Sequence, residues 1–124
     1  SRGLVGSEMC IRDSIGSVAN FLHKKGKWKP NVPIAMRAKA ISEVKEITSS
    51  FKPYMTEIEL EKFGLEATKI IPSNLKFVPI SLNLEDGYEY WLGFDNYQSI
   101  SRYNRSKLYV MAVFEFSNSL SKFL

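Results

Sequence analysis

Toward its last residues the chain reads Ser101-Arg102-Tyr103-Asn104, and Tyr109 follows five positions after Asn104. These residue types suit the holding of a polar substrate. A tyrosine hydroxyl both donates and accepts, so it can fix a carboxyl group in one rotamer, and an asparagine amide can bond hydroxyl or acetamido groups. Arg102 can pair with a backbone carbonyl or with a carboxylate. From spacing alone, ordinary partly buried aromatics are the first reading of Tyr103 and Tyr109 and substrate contacts the second. The other chemistry-bearing residues read as structure. His23 stands among lysines near a helix end, where the dipole favours a cation, and reads as a surface residue rather than a ligand or base. Glu85 and Asp86 precede Gly87 and read as turn residues, not as an acid–base pair. Glu57, Glu59 and Glu61 read as a solvated acidic face. Tyr88 and Tyr90 alternate with Glu89 and Trp91, which makes one strand face aromatic; core packing is the first reading and a sugar platform the second.

The elements that must position these groups follow from period and punctuation. Ile15, Val18, Ala19 and Leu22 recur at helical spacing ahead of Gly26, so the segment reads as the last turns of a helix with a C-terminal glycine stop. Two prolines in WKPNVP forbid helix there. PIAMRA reads as a short strand, and KAISEVKEITSSFKPYM as ambiguous, helical at its start. TEIELEKFG predicts a short helix with Thr56 as N-cap, Glu59 as its capping-box partner and Gly64 as stop. LKFVPISLN and YEYWLGF predict two strands joined as a hairpin at Glu85-Asp86-Gly87. DNYQSISRYNRS reads as a polar loop or short turn. Ser106 would cap a final helix, KLYVMAVFEFSNSL, with Tyr109, Ala112, Val113, Phe116 and Leu120 on one face; Leu108, Met111 and Phe114 make it apolar on other faces too, so burial on several sides is expected.

The 124 residues carry a formal net charge of +4. Such a charge suits nucleic acid, a cell-wall polymer or a membrane surface without choosing among them. Lys24, Lys25, Lys27 and Lys29 cluster around Trp28, but no nucleic-acid motif accompanies them, and they read as a solvated helix end. No apolar run has the length of a membrane span. The single cysteine, Cys10, falls in the first fourteen residues, so disulfide and cysteine–zinc arguments have nothing to act on in residues 15–124. That absence is compatible with periplasm or cytoplasm.

Two stretches resemble known sequences. LVGSEMCIRDS, residues 4–14, has neither helical period nor alternation and matches without a gap the translation of a transposon adapter used in sequencing libraries. Residues 1–14 are therefore expected to be translated adapter fused to a truncated reading frame, not native sequence, and to pack incoherently against the rest. IGSVANFL, a Gly-Lys-Trp turn and then EDGYEYWLGFDNYQSISRYNRSKLYVMAV resemble the C-terminal third of the membrane-bound lytic transglycosylase B family, weakly over residues 38–76.

The resemblance implies an α+β fold: part of a lysozyme-like helical domain, residues 15–124, with a small antiparallel β insertion at about residues 30–95. It implies a peptidoglycan lytic transglycosylase, cleaving the β-1,4 bond from N-acetylmuramic acid to N-acetylglucosamine with a 1,6-anhydro product. In the family the catalytic glutamate stands upstream of the IGSVAN segment, as does the calcium-binding loop of some members. The truncated chain is thus expected to lack the proton donor and to be inactive, with no metal site and no cofactor. Tyr103 and Asn104 would face the substrate groove, Tyr109 would line the same cleft, and Arg102 would support it. Phe21 stands where the family commonly has tyrosine, keeping a ring for sugar stacking without the hydroxyl. The implied partner is the peptidoglycan glycan strand, not nucleic acid. The parent would be periplasmic or outer-membrane-associated, touching the membrane only through a lipid anchor encoded upstream. A non-catalytic glycan-binding module or degenerate relative is the second reading.

Overall fold

The computed structural model describes residues 28–48 and 50–121, so residues 1–14 and the expected helix ending at Gly26, with Phe21 and His23, lie outside the described residues. The described chain is mixed α+β, with three helices and one four-stranded antiparallel sheet. It divides into a unit of residues Lys29–Gln98 and a second that includes Ser99 onward.

Strand β1, Ala35–Ala40, begins two residues later than PIAMRA suggests. The reason is that β1 is paired on both sides, and proline cannot donate to a central ladder. Helix α1, Glu57–Phe63, forms as expected. The Thr56 N–H donates to Glu59 Oε1 at 3.1 Å and the Thr56 hydroxyl donates to the same oxygen at 2.8 Å. Gly64 ends the helix at φ 100°, in the left-handed region that glycine alone enters without strain. Leu65–Ala67 is β2. Val78–Leu84, β3, and Gly87–Gly93, β4, form the expected hairpin, with Gly87 at φ 132° closing the two-residue turn. The strand order is β2-β1-β4-β3, which leaves Pro79 on an edge strand where its missing N–H is harmless.

One sheet face is sealed by a core of Met36, Leu60, Leu65, Phe77, Leu92 and Phe94, all under 9 % exposed. Phe77 meets Phe94 edge to face at 6.0 Å. Its backbone exchanges both hydrogen bonds with Met55, which ties the approach to α1 onto the sheet.

Two readings need correction. Residues 41–48 hold no helix, because their backbone donors are spent elsewhere: the Ile41 N–H reaches Gly64 O and the Lys45 N–H reaches Phe63 O. The β-branched and serine-rich run that follows is a poor helix former in any case. DNYQSISRYNRS, in contrast, is not all loop, since its first seven residues form α2, Asp95–Ser101. Asn96 is fully buried there: its amide donates to Lys29 O and Val32 O, both at 2.8 Å, and its Oδ1 accepts from the Lys29 N–H at 2.9 Å. Asp95 adds an ion pair with Lys29. Polar residues that suggest solvent are here satisfied in the interior.

Helix α3 spans Lys107–Ser121, and the Ser106 hydroxyl caps it by accepting the Tyr109 N–H at 3.3 Å. The fully buried residues are four in a row, Val110 to Val113, rather than a stripe. Tyr109 and Phe116 are half-buried and Leu108 is exposed, while the Leu120 side chain lies outside the described set. Burial over a full turn agrees with the expected burial on several sides. No helix among the described residues is long and apolar enough to cross a membrane.

Candidate functional site

Backbone hydrogen bonding at the end of α2 sets the site. Ile100 O accepts from the Tyr103 N–H at 2.9 Å and the Asn104 N–H at 3.3 Å, so the helix winds down through Arg102 and Tyr103. Ser106 N–H then turns back onto Asn104 O at 2.8 Å, and Ser106 starts α3. This tight passage brings two rings together across six positions: Tyr103 and Tyr109 stack with centroids 6.2 Å apart and planes 25° from parallel. Tyr103 is 39 % exposed and Tyr109 half-buried. Arg102 and Asn104 flank the pair and are exposed. The guanidinium of Arg102 and the amide of Asn104 make no hydrogen bond or ion pair among the described residues. Four of the five sequence-predicted site residues thus lie in one short passage, and the fifth, Phe21, is outside the described residues.

The arrangement can hold a polar, flat-faced ligand but holds no general acid of its own. A stacked tyrosine pair offers a ring face, and the neighbouring positions 102 and 104 carry a guanidinium and an amide. Among the described residues most glutamates are exposed. Glu57, Glu59 and Glu61 are exposed, as are the turn residues Glu85 and Asp86. Donation from the Thr56 hydroxyl and then from its N–H holds the Glu59 carboxyl below the usual carboxylate range. Among the described residues no group of three or more His, Cys, Asp or Glu side chains could hold a metal.

The buried acid of the chain's described part is one that pattern reading passed over. Glu89 is 6 % exposed; its Oε1 accepts from the Trp91 indole N–H at 2.7 Å, and Arg37 lies 3.3 Å from its Oε2. The Arg37 guanidinium also sits over the Trp91 ring, 5.8 Å from its centroid. Strand parity carried the signal, since Glu89 and Trp91 must share a face. Their face is buried; the opposite face carries the core through Leu92 and half-buried Tyr90, while Tyr88, next to the hairpin turn, is 64 % exposed and stacks on Tyr90 at 6.3 Å. Core packing therefore holds for Tyr90, which touches the core, and not for Tyr88. Tyr97 is buried too, beside Phe51 at 5.6 Å, and burial pushes its phenol well above the ordinary value, so it stays protonated.

A groove of about 600 Å³ opens between α1, β2 and the chain beyond, lined by Ile41, Leu60, Leu65 and Ile70 with Glu57 and Glu61 at its rim. It contains no residue of the tyrosine passage.

Comparison with known proteins identifies the setting of that passage. The profile of the transglycosylase SLT domain matches residues 6–118. Membrane-bound lytic murein transglycosylase B of Escherichia coli K12 is 29% identical over 109 residues, which is 88% of this chain and 29% of that protein. The soluble lytic transglycosylase SltB1 of Pseudomonas aeruginosa is similar in structure, with a TM-score of 0.70 and 30% identity over 89% of this chain and 36% of that one. Escherichia coli lytic transglycosylase Slt35, solved in complex with bulgecin A, superposes with a TM-score of 0.73 at 29% identity, over 88% of this chain and 34% of that one. The chain thus spans about a third of the length of each relative.

Proposed function

This chain belongs to the transglycosylase SLT domain family, and from that premise we propose that it is the substrate-holding C-terminal part of a peptidoglycan lytic transglycosylase. The enzyme cleaves the β-1,4 bond between N-acetylmuramic acid and N-acetylglucosamine. In this reading a glutamic acid encoded upstream protonates the glycosidic oxygen as the bond breaks. The same carboxylate then takes the proton of the muramyl 6-hydroxyl as that oxygen closes on its own anomeric carbon. Bond, proton and leaving group balance without water, and the product is a 1,6-anhydro sugar. The transition state is oxocarbenium-like, as in other glycosidases, but one carboxyl group suffices.

The observation that carries the reading is the stacked Tyr103–Tyr109 pair with Asn104 at its edge, inside the matched residues 6–118. The Tyr103 hydroxyl orients the catalytic carboxyl, Asn104 bonds an acetamido or hydroxyl group, and Tyr109 lines the cleft. Phe21 supplies a further stacking ring. Residues 15–124 are then the C-terminal part of a lysozyme-like helical region with its β insertion at about 30–95, and residues 1–14 are translated adapter. The support for the last point is the gapless codon match over residues 4–14; the family match reaches in as far as residue 6, so a genomic read across the junction decides it. The parent works in the periplasm or at the outer membrane.

The test is kinetic. In the parent enzyme Tyr103→Phe lowers kcat with little change in KM, because its hydroxyl acts on the acid in the transition state, whereas Asn104→Ala worsens both. A Tyr103→Phe enzyme with wild-type kcat removes the role given to that tyrosine.

A further inference from the structure

The β3–β4 hairpin carries a second stacked tyrosine pair, for which the core accounts only in part. Tyr90 is half-buried and packs against the core cluster. Tyr88 stands beyond it, 64 % exposed, with the two rings 6.3 Å apart and 24° from parallel. Both rings project from one face of β4, because alternate residues of a strand share a side. Across the antiparallel ladder Tyr88 pairs with Asn83 and Tyr90 with Ser81, so an amide and a hydroxyl stand beside the rings on that same face. Asn83 is exposed, and neither its amide nor either phenol hydroxyl of the pair has a hydrogen-bond partner among the described residues. The groove between α1 and β2 includes neither ring.

Charge is absent from this side of the hairpin. Pro79, Ser81 and Asn83 lie opposite Leu92, Tyr90 and Tyr88, and none of the six is ionisable at neutral pH. The strands' one acid, Glu89, is on the other face and pairs with Arg37. A nucleic acid would need cations for its phosphates, and this face supplies none. A β-linked N-acetylated sugar needs no charge. Its pyranose ring turns C–H bonds toward a flat aromatic face and carries hydroxyl and acetamido groups round its rim. Those rim groups match an amide and two phenols, each able to donate and accept. Core packing of Tyr90 holds the pair in place before a ligand arrives, which reduces the ordering cost of binding.

We propose that Tyr88, Tyr90 and Asn83 form a glycan-binding site on the hairpin, additional to the Tyr103–Tyr109 passage, that holds an uncharged stretch of polysaccharide by ring stacking and neutral hydrogen bonds. The inference rests on the glycan-processing role proposed above. One ring face and one exposed hydrogen bond correspond to roughly a 3- to 10-fold gain in affinity. Because no ion pair is involved, that gain should not fall as salt rises.

The experiment measures binding of the 124-residue chain, by fluorescence anisotropy, to a labelled neutral N-acetylglucosamine oligomer. Hairpin variants are compared in the wild-type chain and in a Tyr103→Ala chain, where residual binding reports the hairpin. In the Tyr103→Ala chain, adding Tyr88→Ala should weaken binding by about 3- to 10-fold and adding Asn83→Ala by less, at low and high salt alike. Tyr88→Phe keeps the ring and should stay within about twofold of the unsubstituted hairpin, which separates stacking from any loss of fold. Residual binding that Tyr88→Ala leaves unchanged, that Tyr88→Phe weakens as much as Tyr88→Ala, or that collapses with salt overturns the hairpin site alone, as does a Tyr103→Ala chain with no residual binding. Binding that responds to Tyr88→Ala and not to Tyr103→Ala supports the hairpin site and removes the role given to the passage. No binding by the wild-type chain overturns the glycan-holding reading and this inference with it.

Discussion

Asn96→Ala removes the buried side chain that, beside the exposed Asp95–Lys29 ion pair, ties α2 to the turn before β1. The amide makes three hydrogen bonds, to Lys29 O, Val32 O and the Lys29 N–H, at 2.8, 2.8 and 2.9 Å, and is wholly inaccessible to solvent. Truncation takes the Asn96 partner from those three backbone groups, although Lys29 O keeps the Val32 N–H at 3.4 Å. Each orphaned group costs about 1–3 kcal/mol where water cannot reach it, but Lys29 lies at the surface and is partly rehydrated. One orphaned carbonyl, Val32 O, and two partly relieved groups give a loss of about 2–4 kcal/mol, a large share of the roughly 5–15 kcal/mol that holds a domain folded. With a urea slope of about 1–2 kcal/mol per molar, the midpoint should fall by roughly 1–4 M at constant slope. Asn96→Asp sharpens the test. The carboxylate keeps the acceptor for the Lys29 N–H but places a negative charge against two carbonyl oxygens, so it should be at least as destabilising as alanine. Urea unfolding followed by circular dichroism measures all three proteins. A loss below about 1 kcal/mol for Asn96→Ala, or an Asn96→Asp protein more stable than Asn96→Ala, refutes the reasoning.

Other expectations follow from single contacts. Gly64→Ala should cost about 1–3 kcal/mol, because φ is 100° and the new Cβ would lie 2.6 Å from Glu43 O; a thermal midpoint equal to wild type contradicts this. Thr56→Ala should raise the Glu59 carboxyl toward its ordinary value by removing the hydroxyl donor, read by NMR titration of that residue. Since the wild-type value is depressed, the contribution of that contact is present above the ordinary carboxylate range and is lost as pH falls through the folded value; the variant should show a weaker acid dependence, because the backbone N–H at position 56 still donates to Glu59. Glu89→Gln retains an oxygen for the Trp91 indole but leaves Arg37 without its counter-charge, so a loss of about 1–2 kcal/mol is expected, discounted for the half-exposed arginine. Equal stability of Glu89→Gln and wild type would show that the pair adds nothing.

Much of the frame was legible because local chemistry and tertiary structure agree there. The Thr56–Glu59 box, the Gly64 stop, the Glu85-Asp86-Gly87 turn and the Ser106 cap each act within a few residues, and each forms. What was not legible depends on distant partners. Asn96 reads as a loop residue until the backbone of Lys29 and Val32, more than sixty positions earlier, supplies its bonds. Residues 41–48 read as helix-capable until residues 63–64 claim their donors. Glu89 reads as an outward polar residue unless strand parity is weighed with Trp91 and Arg37. Of the site, the Tyr103–Tyr109 stack was open to pattern reading only as two tyrosines six apart; the helix end, a γ-like turn at Asn104 and the Ser106 cap convert that spacing into contact.

The central claim is the proposal that the Tyr103–Tyr109 passage holds glycan for a proton donor outside this chain. Purified sacculi should be digested in parallel with the parent enzyme and with the 124-residue chain, and the released muropeptides weighed by mass spectrometry. The account predicts 1,6-anhydro muropeptides from the parent and none from the chain. Anhydro products from the 124-residue chain, or reducing-end products in place of anhydro ones from the parent, would contradict it.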